Sequence, residues 1–310
     1  MNYYDALVQQ SAPIDVEPTD TSYFSKLAGG LDPRLFINGK LIPSVRNAIL
    51  SILFEHLKTR FYSPEDYTHV WLAGSGVSYQ WAAQREPADL DCLIGIDYIK
   101  FRQANQKYIT LSDREIAQTL NEGFREALHP KTEAFLGVFE LTFYVNVVSD
   151  ITKIKPYAAY SVTSDSWTVE PAEEGASIRK DWEVKLEKDK TMALEILQRY
   201  NNAYYGVEAA KNDAARRNAE SALKLAVDQG AALFDSIHKG RSAAFTPEGQ
   251  GYEDYANYRW QSGKASGVIP ALKRMKEIST QTRKEFEAHT YGMELPDASL
   301  LVRRALTQNG

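Results

Sequence analysis

Two spacings of apolar residues run through the first half of the chain and predict different elements. After Pro43 an apolar residue recurs every three or four positions, which predicts an amphipathic helix buried along Val45, Ile49, Ile52, Leu53 and Leu57. The short apolar runs HVWLAG (69–74) and LDCLIGI (90–96) predict strands, the first of which ends in glycine. Between them, VSYQWAAQ (77–84) predicts a short helix that ends before Pro87.

Strict alternation marks the segment GVFELTFYVNVV (137–148) as a longer strand. Its polar side chains fall on one face: Glu140, Thr142, Tyr144 and Asn146. Its apolar side chains fall on the other: Leu141, Phe143, Val145 and Val147. Upstream, Ser112 and Glu115 have the spacing of a capping box, which predicts a helix from Ser112 to about Leu128.

The character of the chain changes near residue 185, from mixed elements to long helices. Residues 189–238 are rich in Ala, Leu, Lys, Glu and Arg and predict a long helix broken near Gly206. The glycine-containing stretch HKGRSAAFTPEGQG (238–251) then precedes two or three further helices. We therefore expect an α+β protein with three regions: an N-terminal arm at 1–22, an α+β domain at 23–185 and a helical domain at 186–310.

Composition narrows the class of protein. The 310 residues carry a formal net charge of -5, which argues against a globally basic nucleic-acid binder but leaves a local basic patch open. The single cysteine, Cys92, excludes an internal disulfide and a CxxC metal site. The sequence shows no signal peptide and no apolar run near the roughly 20 residues of a membrane span, so we expect a soluble, cytoplasmic protein. The five histidines stand in no metal-binding spacing.

Two aspartates one residue apart stand at the head of the second strand. Side chains at i and i+2 of a strand point to the same side, so Asp89 and Asp91 are expected to lie close together. Two carboxylates that close repel each other unless a proton or a cation intervenes. A hard ion such as Mg²⁺ prefers these oxygens and accepts substrate phosphates as further ligands. The solvated end of an ordinary strand is the alternative interpretation.

The stretch Gly74-Ser75-Gly76 follows the first strand directly. Glycine lets the backbone approach a ligand closely, and amides at a turn that opens a helix bind anions. The hydroxyls of Ser75 and Ser78 would add donors. A plain turn is the alternative. If the two strands are neighbours, a nucleoside triphosphate can bridge the phosphate cradle and the metal site.

The order strand, Gly-Ser, short helix and strand with Asp-x-Asp resembles the polymerase-β-like nucleotidyltransferase superfamily. Thirteen residues separate Ser75 from Asp89, and the resemblance covers about residues 68–150. It implies a small mixed or antiparallel sheet flanked by helices. It also implies transfer of a nucleoside monophosphate from a nucleoside triphosphate to an acceptor, with release of pyrophosphate and with Mg²⁺ or Mn²⁺ as cofactor. By the same resemblance Asp89 and Asp91 bind the metal, and Gly74 and Ser75 hold the phosphates.

The family has a third carboxylate on a later strand. Asn146 lies where the end of the strand places that acid, but an amide is a poor Mg²⁺ ligand. Glu140 shares the face of Asn146 and lies six residues earlier, about 20 Å along a strand. Asp150 lies just beyond the strand. We favour Glu140 as the third catalytic and metal-binding carboxylate, and Asn146 stays among the residues expected near the nucleotide.

Two further segments bear on the function. YVNVVSDITKIKPYAAYSVTSDSW (144–167) is similar to nucleotidyltransferase-like proteins of actinobacterial and phage genomes, and loosely to the cyclic-nucleotide synthases of antiphage defence. YEDYANYRWQSGK (252–264) interleaves aromatics with cations, which suits stacking on RNA bases or packing of tyrosines on a core.

The acceptor is therefore left open among an RNA 3′ end, a nucleotide, a small molecule and a protein. The alternatives to an active transferase are a protein of this fold that binds nucleotide or RNA without turnover, and a regulator that acts through its helical half.

Overall fold

The computed structural model describes residues 2–18, 27–81, 87–173 and 179–293. Its residues form two compact units. One is helical and takes its residues from within 1–22, 177–243 and 255–309. The other contains the sheet and takes its residues from within 23–176 and 244–254. The division near 176 differs from the one expected near 185, and a short segment of the expected helical domain belongs to the sheet unit.

The sheet unit holds a five-stranded mixed sheet and a two-residue hairpin. Its strands are β1 (Phe36–Ile37), β2 (Lys40–Leu41), β3 (Thr68–Ala73), β4 (Ala88–Ile96), β5 (Phe139–Val145), β6 (Ala159–Ser161) and β7 (Ser166–Val169). The hairpin pairs β1 with β2, and the order of strands in the sheet is β5-β4-β3-β6-β7. The strands β4 and β5 run parallel, whereas the other neighbours in the sheet run antiparallel.

One face of the sheet carries the main hydrophobic core. Alternate residues of the central strands, among them Leu72, Leu90, Cys92 and Leu141, are fully buried there. The helix α2 (Pro43–Lys58) packs on this core through the apolar stripe that its sequence predicts, and Ile52 is partly buried at its margin. The periodicity of the sequence therefore predicted both the strands and the side of the helix that faces them.

Two helices of the sheet unit, α3 (Tyr98–Ala104) and α4 (Asp113–Gly123), begin directly after residues whose side chains cap them. The capping box at Ser112 and Glu115 forms as expected, and α4 continues as a π-helical turn over Phe124–Leu128. In place of the expected helix after Gly76 the structure has a 3-10 turn, Ser75–Val77, because no side chain caps it and the backbone is extended at Ser78. Residues 82–86 lie outside the described part of the chain.

The helical unit consists of α1 (Tyr3–Gln10), α5 (Lys180–Glu208), α6 (Asp213–Ala244), α7 (Tyr255–Ala265) and α8 (Val268–Tyr291). The helical stretch expected over 189–238 with a break near Gly206 is two helices, and the break lies between Glu208 and Asp213. None of the described helices combines the length and the apolar character that crossing a bilayer requires.

The N-terminal residues are part of this unit rather than a free arm. Leu7 and Ile14 are buried in its core, beside Tyr200. The Tyr200 hydroxyl donates to the Ala12 carbonyl at 2.8 Å, and the Asn201 amide exchanges hydrogen bonds with the backbone of Ile14 at 2.9 and 3.0 Å. The sequence did not predict α1, because a helix of eight residues has only about two turns and its apolar periodicity is weak. Residues 19–22 of the expected arm lie outside the described ranges.

Candidate functional site

The parallel pairing of β4 and β5 brings the three predicted carboxylates to one face. In this register Asp89 lies opposite Glu140, and Asp91 lies opposite Thr142. Burial alternates along β4, with Asp89 and Asp91 exposed and Leu90 between them buried in the core. The two aspartates therefore share a face, as expected. Neighbouring strands lie about 4.8 Å apart, so the Glu140 side chain rises beside that of Asp89.

Gly74 lies between the predicted phosphate cradle and the two aspartates. It follows β3, which runs antiparallel to β4 with Ala73 opposite Asp91. Its backbone angles, φ 86° and ψ −162°, fall in a region that is essentially restricted to glycine. A Cβ atom at this position would lie 3.2 Å from Oδ2 of Asp91. The two motifs are thus on adjacent strands, and the absence of a side chain at Gly74 makes room for the Asp91 carboxylate.

The loop after Gly74 divides its polar groups between solvent and interior. Ser75 is exposed, whereas Gly76 and Ser78 are buried. The Ser78 hydroxyl donates to the Ser75 carbonyl at 3.0 Å and accepts from the Gln80 amide at 3.2 Å. The contact of Ser78 with a phosphate stays a prediction that this geometry does not favour, because its hydroxyl is enclosed and engaged within the loop. Ser75 keeps the position expected of a phosphate donor.

Protein side chains orient two of the carboxylates. The Thr142 hydroxyl donates to Oδ1 of Asp91 at 3.2 Å. His129 Nε2 lies 3.2 Å from Oε1 of Glu140, and the turn that carries His129 is tied to β5 by two hydrogen bonds between Thr132 and Leu141. The alternation of β5 would have predicted Thr142. No local signal predicts His129, because its contact depends on how that turn folds back on the strand.

The donor set suits a hard divalent cation, although the described residues do not hold a closed metal cage. Asp89, Asp91 and Glu140 supply carboxylate oxygens on one solvent-facing surface, which is the chemistry that Mg²⁺ and Mn²⁺ prefer. Across the described ranges, no three His, Cys, Asp or Glu side chains are gathered closely enough to form a metal site. The contact with His129 engages one oxygen of Glu140.

Asn146 lies away from this site. It follows the last residue of β5, six positions beyond Glu140 and about 20 Å along the strand direction. Its side-chain oxygen accepts from the Val148 backbone amide at 3.0 Å, and the backbone amide of Asn146 donates to the Ile94 carbonyl at 3.1 Å. The contact of Asn146 with the nucleotide stays a prediction that this geometry does not favour, because its side chain holds the turn that ends the strand. Glu140 is the strand residue that the register places beside Asp89.

This placement predicts that Asn146→Asp leaves the site unchanged. Aspartate keeps the oxygen that accepts from Val148, so the turn survives, and the new charge lies too far from Asp89 to add a ligand. We expect Mn²⁺ affinity and any nucleotidyl transfer to stay within about twofold of the parent protein. A large gain in either quantity would show that the end of β5 belongs to the site.

The aromatic and basic stretch 252–264 is engaged in internal packing. Tyr258 is buried against Trp182 with ring centroids 5.4 Å apart. Arg259 donates to Asp189 at 2.9 Å, and Trp260 packs on Phe234 at a centroid distance of 5.9 Å. These contacts account for the aromatics from residue 255 onward by packing within the helical unit, which was the alternative to base stacking.

Cys92 and a cavity along β7 contribute nothing to the carboxylate face. Cys92 is fully buried, and burial raises the pKa of its thiol, so it is a core residue and not a nucleophile. The cavity, about 860 Å³ in volume, lies along β7 and is lined by Trp167, Tyr160 and Tyr79 among others. Tyr160 pairs with Leu72 and belongs to the core on the opposite face of the sheet. Among the described residues, Asp89 and Asp91 lie exposed on the other face of the sheet.

Comparisons with known proteins do not identify a relative. A scan against protein-family models and searches of curated proteins and of solved structures all gave no match to this chain. The structure is an α+β fold with a five-stranded mixed sheet and a helical C-terminal region. A functional assignment therefore rests on the motif and on the geometry that surrounds it.

Proposed function

We propose that this protein is a metal-dependent nucleotidyltransferase of the polymerase-β-like type. The observation that carries the proposal is the strand register. It sets Glu140 beside Asp89, while Gly74 at the end of the adjacent strand lies against Asp91. Two motifs that the sequence separates by thirteen residues thus meet at one end of the neighbouring strands β3 and β4, an arrangement that suits the transfer of a phosphate-bearing group.

The reaction transfers a nucleoside monophosphate. The acceptor oxygen forms a bond to the α-phosphorus of a nucleoside triphosphate, the bond from that phosphorus to the bridging oxygen breaks, and pyrophosphate leaves. A bound Mg²⁺ or Mn²⁺ would lower the pKa of the acceptor hydroxyl and neutralise charge on the phosphates. Asp89 and Asp91 would hold that ion together with water and phosphate oxygens, and Glu140 would add a third carboxylate on the same face. A proton released by the acceptor passes to solvent or to a carboxylate.

The cradle residues have distinct tasks in this proposal. Gly74 leaves space for a phosphate to approach the backbone and the Asp91 carboxylate. Ser75 presents an exposed hydroxyl at the start of the 3-10 turn. Because the protein performs no covalent step, positioning and charge neutralisation account for the rate enhancement.

Ser75→Ala is expected to raise the KM for the nucleoside triphosphate about fivefold to tenfold and to lower kcat. One hydrogen bond to a charged phosphate is lost, which corresponds to roughly 1.5 kcal/mol. The folded structure should keep its stability because Ser75 is exposed. Steady-state kinetics with variable nucleotide measure the effect, and an unchanged KM would remove Ser75 from the cradle.

The direct test follows radioactive label from each α-³²P nucleoside triphosphate. The parent protein and the Asp89→Ala/Asp91→Ala double variant are incubated with Mg²⁺ or Mn²⁺ and total RNA. Label that moves to RNA, to protein or to a new small product in the parent protein alone would establish the activity and the class of acceptor. Absence of transfer at all nucleotides, metals and acceptors would overturn the proposal of an active enzyme.

A second candidate is a nucleotide-binding protein of this fold that has lost turnover. The contact between His129 and Glu140 favours it, because a neighbouring side chain already engages the third carboxylate. Binding of nucleotide with Mg²⁺, measured by calorimetry, together with no label transfer would select this function. Binding that survives in the double variant would show that the aspartates are not used.

A further inference from the structure

A buried chain of hydrogen bonds connects the candidate phosphate loop to a tyrosine far along the sequence. The Tyr252 hydroxyl accepts from the Gln80 side-chain amide at 3.0 Å. The Gln80 backbone amide donates to the Ser78 hydroxyl, which in turn donates to the carbonyl of Ser75. Gln80 and Ser78 are 4% and 0% exposed. Water therefore cannot easily replace these bonds, and their geometry determines the backbone at Ser75.

Tyr252 is itself held in place within the sheet unit. Its ring lies against Tyr157 with centroids 4.0 Å apart. Its amide donates to the Lys155 carbonyl at 3.2 Å, and the Lys155 ammonium donates to the Gly249 carbonyl at 2.6 Å. Gly251, with φ 63°, brings the backbone of this segment into direct contact with Lys155. The hydroxyl that ends the chain of bonds thus has a rigid support.

The loop is also anchored at its other end. The Gly74 amide donates to the Ala158 carbonyl at 3.3 Å, three residues beyond Lys155. The segment 155–158 therefore fixes the start of the loop directly, and it fixes the end of the loop through Tyr252. Ser75 lies between these two anchors with its side chain exposed.

We propose that Tyr252 is a positioning residue for the phosphate loop, so that residues 244–254 complete the candidate nucleotide site. The identity of the ligand, a nucleoside triphosphate, rests on the function proposed above. The positioning itself rests on the hydrogen-bonded chain. Removing the Tyr252 hydroxyl breaks the bond that ties the Gln80 side chain to this segment, and the loop then samples other conformations.

The variant Tyr252→Phe isolates this role because it keeps the aromatic contact. Tyr157→Phe is the matched control: it removes the neighbouring hydroxyl, which lies beside Tyr252 but outside the chain of bonds that links Gln80, Ser78 and Ser75. Both are made in the full chain. Amide hydrogen exchange over residues 74–80, without nucleotide, reports the loop, while Tm, KM and kcat report stability and function.

We expect Tyr252→Phe to speed exchange over residues 74–80 about fivefold to tenfold relative to the parent. KM for the nucleoside triphosphate should rise by a similar factor, with kcat within about twofold and Tm within a few degrees. Tyr157→Phe should change neither the exchange nor KM.

Unchanged exchange in Tyr252→Phe, equal effects of the two variants, or faster exchange without any rise in KM would each overturn the positioning role. If the parent protein binds no nucleotide, the proposed function fails by that result. The exchange measurement then still decides whether Tyr252 holds the loop, so the two failures are distinguishable.

Discussion

Replacing Asp91 with asparagine is expected to reduce nucleotidyl transfer by roughly a thousandfold or more while the protein remains folded. The side chain is exposed at the sheet surface, where the amide keeps the shape of the carboxylate and can still accept from Thr142. What is lost is the negative charge that would hold a divalent cation beside Gly74. Charge stabilisation by such an ion is worth several kcal/mol in the transition state, and each ~1.36 kcal/mol is tenfold in rate.

Asp97→Asn is the matched control for this prediction. Asp97 follows the other end of the same strand and caps α3 by accepting from the Lys100 amide at 3.1 Å. Asparagine caps a helix about as well as aspartate, so this variant loses a charge without losing structure. Label transfer is measured for both variants, and circular dichroism and Tm verify folding. Full activity in Asp91→Asn, or equal loss in Asp97→Asn, contradicts the metal assignment.

Gly251→Ala is expected to lower stability by about 3 kcal/mol, the largest structural effect that we predict. The residue has φ 63°, which costs an alanine about 1 kcal/mol. Its added Cβ would also press on the backbone of Lys155 and Ile154, with the Ile154 carbonyl oxygen at 2.7 Å, and such overpacking costs roughly a further 1–3 kcal/mol. A fall in Tm of about 6 to 12 °C should follow.

Gly137→Ala separates the two causes. Gly137 also has a left-handed backbone, with φ 77°, but nothing lies within 4 Å of the position that a Cβ atom would take there. It should therefore show the conformational cost alone, a fall in Tm of about 2 to 4 °C. Equal falls in the two variants would mean that segment 244–254 is not closely held against residues 154–155.

The hydrophobic pattern determined the sheet and the helix that covers it. A period of two predicted that Leu141, Phe143 and Val145 face the core, and a period near 3.6 predicted the buried side of α2. These two predictions were confirmed because the direction of each side chain in a strand or helix is set by its spacing from its neighbours along the chain. The capping box at Ser112 is likewise a local interaction, so its sequence signal is direct.

No local feature of the sequence predicts the boundaries of the two units. The segment 244–254 belongs to the sheet unit, although helices of the other unit flank it in sequence. Its contacts with Lys155 and Gln80 join residues separated by 94 and 172 positions. Such pairings depend on the path of the whole chain, which neither composition nor periodicity records.

The sequence by itself determined which residue types can form the site: the cradle at Gly74 and Ser75, the pair Asp89 and Asp91, and the shared face of β5. Only the tertiary structure showed that Glu140, and not Asn146, lies beside Asp89, because this depends on the register of two parallel strands that are distant in sequence. It also turned Ser78 inward and brought His129 to Glu140. Local spacing sets the direction of a side chain, whereas the packing of distant segments sets what that side chain meets.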